Sequence, residues 1–154
     1  MSTSNTQAKG FTLLEVMVAL VVLSVGLLGL AALQTATVRF NQNAYLRSQA
    51  TNFAYDLADR MRANREAAIA GAYDAAYAGT PPACTAAVGA GTVAQTDLAG
   101  WRIALTCALP LGNGKIERNN RTVTISVQWD ETRGNRLTED GSNSAEEFQM
   151  VTSL

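Results

Sequence analysis

The feature that most constrains this chain is a run without charge from Val16 to Val38, entered just after a carboxylate at Glu15 and left at Arg39. Its first 18 residues, Val16–Leu33, make roughly 27 Å of helix at ~1.5 Å per residue, and the extension to Val38 reaches the thickness of a hydrocarbon core. The run is therefore long enough to cross a bilayer. A secretory signal peptide is the rival reading, but its apolar core is usually ~7–15 residues long and ends at a small-x-small site. Glu15 stands out against either background. An ionised side chain inside hydrocarbon costs about 2.5–3.5 kcal/mol on insertion scales, so intramembrane acids are functional by default. The bland alternative is a carboxylate that snorkels to the interface.

Residues 1–10, "MSTSNTQAKG", are polar, lack periodicity and read as a leader outside any folded element. Beyond the apolar run, Leu46, Ala50, Phe53, Ala54, Leu57, Ala58 and Met61 recur at helical spacing and form one apolar stripe. Asp56 with Arg60 and Arg62 with Glu66 stand at i,i+4 beside it, each pair worth a few tenths of a kcal/mol. The pattern predicts one helix from about Phe11 to about Ala70, closing near Gly71, with an apolar first half and an amphipathic second half. Gly26 and Gly29 inside it either permit close helix packing or mark a stretch able to unwind.

Residues 71–96, rich in Gly, Ala and Thr, read as a connection. The segment 97–109 fits either a short helix with Asp97 as N-cap or a strand; the cap and Pro110 favour the helix. From Arg121 to Trp129 the alternation of Val123, Ile125, Val127 and Trp129 with polar residues predicts a half-buried strand. Asn119–Asn120 suggests a hairpin partner at Lys115–Arg118, and "EFQMVTS" a last strand. The fold class expected is α+β, a long N-terminal helix packed on a small antiparallel sheet, with Trp101 and Trp129 as core or sheet-face residues.

Composition excludes several functions. The sequence holds no histidine, which removes histidine-based nucleophile arrangements, histidine zinc sites and the commonest general base. With 16% charged residues and a net charge of −1 there is no basic field, so a nucleic-acid partner is not expected. No cofactor is implied either: "GNGK" (Gly112–Lys115) is a fragment of a phosphate loop without its spacing, and reads as a turn. The acids between Asp130 and Glu147 match no EF-hand spacing and read as a solvated loop rather than a calcium site. "NRT" (Asn120–Thr122) matches a glycosylation sequon too short to carry weight. Cys84 and Cys107 suit one disulfide in an oxidising compartment, worth about 3 kcal/mol in the chain-entropy model, the alternative being two buried thiols. An enzyme is not expected.

The stretch "KGFTLLEVMVALVVLS" resembles the class III signal sequences of type IV pilins and of the pseudopilins of type II secretion. Gly10, Phe11 and Glu15 match that pattern residue by residue. In detail the chain is similar to the PilV-type minor pilins, on "GLLGLAALQ" (Gly26–Gln34), "LADRMRANR" (Leu57–Arg65) and "VTISVQWDE" (Val123–Glu131). The proline that major pilins often carry about twenty residues into the mature helix is not found here. The resemblance implies a pilin-like fold and cleavage by a prepilin peptidase between Gly10 and Phe11, followed by N-methylation of Phe11. It also implies that Glu15 faces the α-ammonium of a neighbouring subunit and fixes the register of helix against helix. Residues 1–10 would be a removed leader, 11–38 the membrane segment and 39–154 a periplasmic domain. That domain would comprise an amphipathic helix 39–70, a loop 71–96 and an α+β part 97–154. The expected location is the inner membrane as a single pass, with possible entry into the extracellular pilus. Expected partners are other minor pilins, the major pilin, the peptidase and the membrane. The role implied is a minor pilin in pilus assembly; a minor pseudopilin, or a pilus-borne adhesin or DNA-uptake subunit, is the alternative.

Overall fold

The computed structural model describes residues 11–130 and 145–154. The chain divides into two compact units, residues 1–42 and 43–154, and the helix α1 (Leu13–Ala63) contributes to both.

In the first unit α1 makes no apolar core: every residue from Leu13 to Asn41 is exposed. Its hydroxyls turn inward instead. Ser24 Oγ donates to the Leu20 carbonyl at 2.7 Å, Thr35 to Ala31 at 3.1 Å and Thr37 to Leu33 at 2.9 Å. These bonds leave an outer surface of hydrocarbon.

The second unit is built on the predicted stripe. Leu46, Ala50, Ala54, Leu57, Ala58 and Met61 are buried along α1, with Phe53 packed at the margin. They share a single core with the inner face of a three-stranded antiparallel sheet of order β1 (Asn113–Asn119), β2 (Thr122–Asp130), β3 (Ala145–Ser153). Val123, Ile125, Val127 and Trp129 of the central strand point inward, as the alternation predicts. Two arginines of α1 reach β3: Arg47 pairs with Glu146 at 3.3 Å and Arg62 donates to Thr152 Oγ1 at 2.7 Å. The β1–β2 hairpin turns at Asn120, which takes φ +58, between the paired Asn119 and Thr122. Small polar side chains tolerate that left-handed conformation best after glycine.

Three stretches depart from expectation. The helix does not run on to Ala70: α1 ends at Ala63 and a short helix α2 (Arg65–Ile69) follows. Asn64, at φ −114 and ψ 48, breaks the geometry, and its amide donates to the buried Tyr73 hydroxyl at 3.2 Å. The stop near Gly71 is as expected. Gly71 at φ +90 lets its own N–H reach Ala68 O and that of Ala72 reach Ala67 O, a Schellman closure. The pair Arg62–Glu66 does not form; Arg62 meets Asp59 at 2.7 Å, whereas Asp56–Arg60 forms at 3.0 Å.

The second concerns α3 (Val93–Ala108), which decides 97–109 for helix but starts earlier than expected. Its cap is Thr92, not Asp97. Thr92 Oγ1 accepts from Gln95 N–H, and the Gln95 side chain accepts from Thr92 N–H, a reciprocal capping box. The third concerns "GNGK": the turn falls before it, with Leu111 at φ +52, and Asn113 already opens β1. Trp101 and Trp129 are core residues, each 1% exposed. Trp101 crosses from α3 to α1 and donates Nε1–H to the Phe53 carbonyl at 2.9 Å.

Candidate functional site

The candidate site is the N-terminal end of α1. Phe11 precedes the helix and is 83% exposed; Gly10 lies outside the described residues. Thr12 opens the helix. Its hydroxyl accepts the Glu15 N–H at 3.2 Å while its carbonyl accepts that of Val16 at 3.3 Å. Glu15 thus occupies the first turn, where a carboxylate is favoured by the exposed N–H groups and the helix dipole. Thr12 and Glu15 have the Thr-x-x-Glu spacing of a capping box. It gives Glu15 a local role beside any intermolecular one.

Behind this end, α1 is long and apolar enough to cross a membrane, and none of its most apolar 18-residue window is buried within the protein. Gly26 and Gly29 sit in an unbroken helix, and a Cβ on either would meet nothing within 4 Å. Among the described residues no contact calls for glycine there.

The remaining sites expected from the sequence belong to the second unit. Cys84 and Cys107 form a disulfide, with Cα atoms 4.9 Å apart, tying the 71–92 connection to the last turn of α3. Of the acidic stretch 130–147, residues 131–144 lie outside the described residues. Among the described residues no group of three or more acids or cysteines could hold a metal ion.

Two polar networks escaped sequence reading. Asp97 accepts from Tyr73 Oη at 2.6 Å and from Arg60 Nη1 at 3.3 Å, joining α1, α3 and the Tyr73 segment. Burial, then the bond to Asp97, pushes the Tyr73 hydroxyl above the usual tyrosine range. On the outer sheet face Tyr77 donates to Glu147 at 2.8 Å, and Gln149 donates to the same oxygen at 2.9 Å. Lys115 Nζ lies 5.5 Å from the Tyr77 ring centroid. The bonds from Gln149 and Tyr77 hold the Glu147 carboxyl below its ordinary value. Burial, then the Glu147 bond, raises Tyr77. Nothing but tertiary packing brings these residues together. Both networks fasten elements of the second unit to one another.

A prokaryotic N-terminal methylation motif matches residues 5–31, which include Gly10, Phe11, Glu15 and the first turns of α1. A second family model, type IV pilin Tt1218, matches residues 32–101, from the end of the apolar run into α3. The chain is similar to the type IV pilins. No curated protein and no solved structure matches it. The pilin-like architecture extends past the matched residues: the sheet at 113–153 completes the α+β fold beyond the end of the second match.

Proposed function

We propose that this pilin-like chain is a minor pilin of the PilV type, acting in type IV pilus assembly with other minor pilins and the major pilin. The observation that carries the reading is the methylation motif at one end of an apolar helix half that, among the described residues, is left uncovered. Such a surface needs lipid before assembly and neighbouring helices after it. A prepilin peptidase would cut between Gly10 and Phe11, and Phe11 would then be N-methylated. The removed leader is 1–10, the membrane segment 11–38 and the periplasmic domain 39–154. With the α-amine created at Phe11, Glu15 stands four residues away and can pair with the amine of a neighbouring subunit. Opposite charges attract more strongly in an apolar surrounding, and a slipped register would leave both unpaired. The local bond of Thr12 is compatible, because it uses the Glu15 backbone and leaves the carboxylate for a partner. The match to a type IV pilin model over 32–101 favours the pilus over the secretion apparatus. The role is structural.

Intact mass and N-terminal sequencing of the protein extracted from its native membrane test this directly. The expected chain begins at N-methylated Phe11. A chain that keeps Met1, or one cut beyond Leu33, would sink the pilin reading.

A further inference from the structure

We propose that Arg39 is a phospholipid-binding residue, its guanidinium held by lipid phosphate at the membrane surface nearer the folded domain, so that Glu15 and Arg39 fix the depth of the resting subunit. The inference rests on the proposed membrane segment, whose charge-free part is 16–38. Between these two charges lie 23 uncharged residues. At ~1.5 Å per residue the two charged Cα atoms stand roughly 36 Å apart along the helix, against about 30 Å of hydrocarbon. A modest tilt or a short snorkel therefore places both charges at headgroup level together. Neither has to enter the hydrocarbon while the subunit waits there.

What Arg39 meets at that level follows from its surroundings. Among the described residues it has no ion pair and no hydrogen-bonding partner, although α1 continues past it without a break. The other arginines of α1 are engaged: Arg47 with Glu146, Arg60 with Asp56 and Asp97, Arg62 with Asp59 and Thr152. Phe40, next to it, is 73% exposed, and the hydroxyls of Thr35 and Thr37 are turned back onto the helix. The Arg39 cation, the first charge after the apolar run, is thus exposed where a long basic side chain can reach the headgroup level. Arginine's planar fork matches phosphate in a two-bond geometry that lysine, a point charge, cannot copy. The partner chemistry is therefore the phosphate of a phospholipid headgroup.

The experiment reconstitutes the full chain, labelled with carbon-13 at the arginine Cζ, in vesicles of phosphatidylethanolamine and phosphatidylglycerol. Flotation reports insertion, and solid-state carbon–phosphorus recoupling reports guanidinium contact with lipid. The expected result is flotation with an arginine–phosphorus contact that disappears in Arg39→Lys. In Arg39→Leu, a spin label at position 36 should sink by up to about one helical turn, ~5 Å, before polar residues stop it. Flotation with a contact that survives both substitutions, or an unchanged label depth, overturns the proposal and leaves the membrane span standing. A chain that fails to float overturns the span and the proposal with it.

Discussion

From Leu13 to Asn41, α1 exposes every side chain, whereas from Leu46 to Met61 it buries six. The backbone is the same α-helix throughout. What differs is where the apolar residues stand: all round in the first stretch, along one stripe in the second. A stripe can be covered by one sheet, and here it is, by Val123, Ile125, Val127 and Trp129. A helix apolar on every side cannot be covered by a small domain of its own chain, because any one face it docks leaves the others in water. The first stretch therefore asks for lipid or for other copies of such a helix, and the second asks for nothing outside the chain. Stability and assembly are divided between two parts of one element.

The sharpest way to break this division is to put the same charge in each part. Ala54→Asp places an unpaired carboxylate at a fully buried site, and a loss above ~4 kcal/mol is expected, enough to unfold the domain. Near-ultraviolet circular dichroism of the full chain in detergent should lose its Trp101 and Trp129 signals. Leu23→Asp, on an exposed position, should keep those signals and instead penalise membrane insertion by about 2.5–3.5 kcal/mol, read by flotation. Equal effects of the two substitutions on both readouts would mean that the halves are not independent.

Breaking the Cys84–Cys107 disulfide comes next. Cys84→Ser with Cys107→Ser releases a loop of sequence separation 23 and should cost about 3 kcal/mol of domain stability, measured by urea unfolding. Flotation should not change. If the stability loss is negligible, the 71–92 connection is held by its other contacts, such as the double hydrogen bond between the Asn113 amide and Ala78.

The two parts were also unequally legible. Periodicity exposes the stripe, because burying one side of a helix forces residues of one kind to recur every three or four positions. Alternation exposes β2 for the same reason at period two. Each of these signals is local, and the charge-free run is more local still. The break at Asn64 was not legible: neither proline nor glycine marks it, and it is set by a hydrogen bond to Tyr73, nine residues on. Asp97 misled for a related reason. An acid ahead of an apolar periodic segment looks like a cap, yet this one serves Tyr73 and Arg60 across the core, and α3 is capped by the Thr92–Gln95 pair ahead of it. Of the candidate site, Phe11 and Glu15 were legible through a motif, whereas the Thr12 bond beneath Glu15 needed the structure.

Glycines sharpen the comparison at a smaller scale. A Cβ at Gly114 would collide with the Trp101 ring, so Gly114→Ala should cost about 1–3 kcal/mol in domain stability as the indole shifts. Gly29→Ala meets nothing within 4 Å and should leave domain stability unchanged while strengthening the helix by up to ~1 kcal/mol. A loss of assembly in Gly29→Ala with an intact domain would indicate that another chain packs at that point.

The smallest expected effect is electrostatic and confined to the Tyr77–Glu147 pair at the outer sheet face. Glu147 has a lowered carboxyl pKa, so its contribution is complete above the ordinary carboxylate value of about 4.3 and fades as the pH falls through the folded one. Tyr77 has a raised pKa, so its contribution is complete below about 10 and fades only as the pH climbs through the higher folded value. Together they make a pair effective across the neutral range and lost at both extremes. Glu147 is exposed, so water and salt screen much of this, and an exposed pair is worth about 0–1 kcal/mol. Tyr77→Phe should lower domain stability within that range near pH 7 and reduce the fall between pH 5 and 3, measured by urea unfolding across pH. Insertion of α1 over the same range should be indifferent to the substitution, because no group of this pair belongs to the first unit. A Tyr77→Phe chain with an unaltered acid limb would show that Gln149, the other donor to the Glu147 oxygen, suffices to keep that carboxylate ionised.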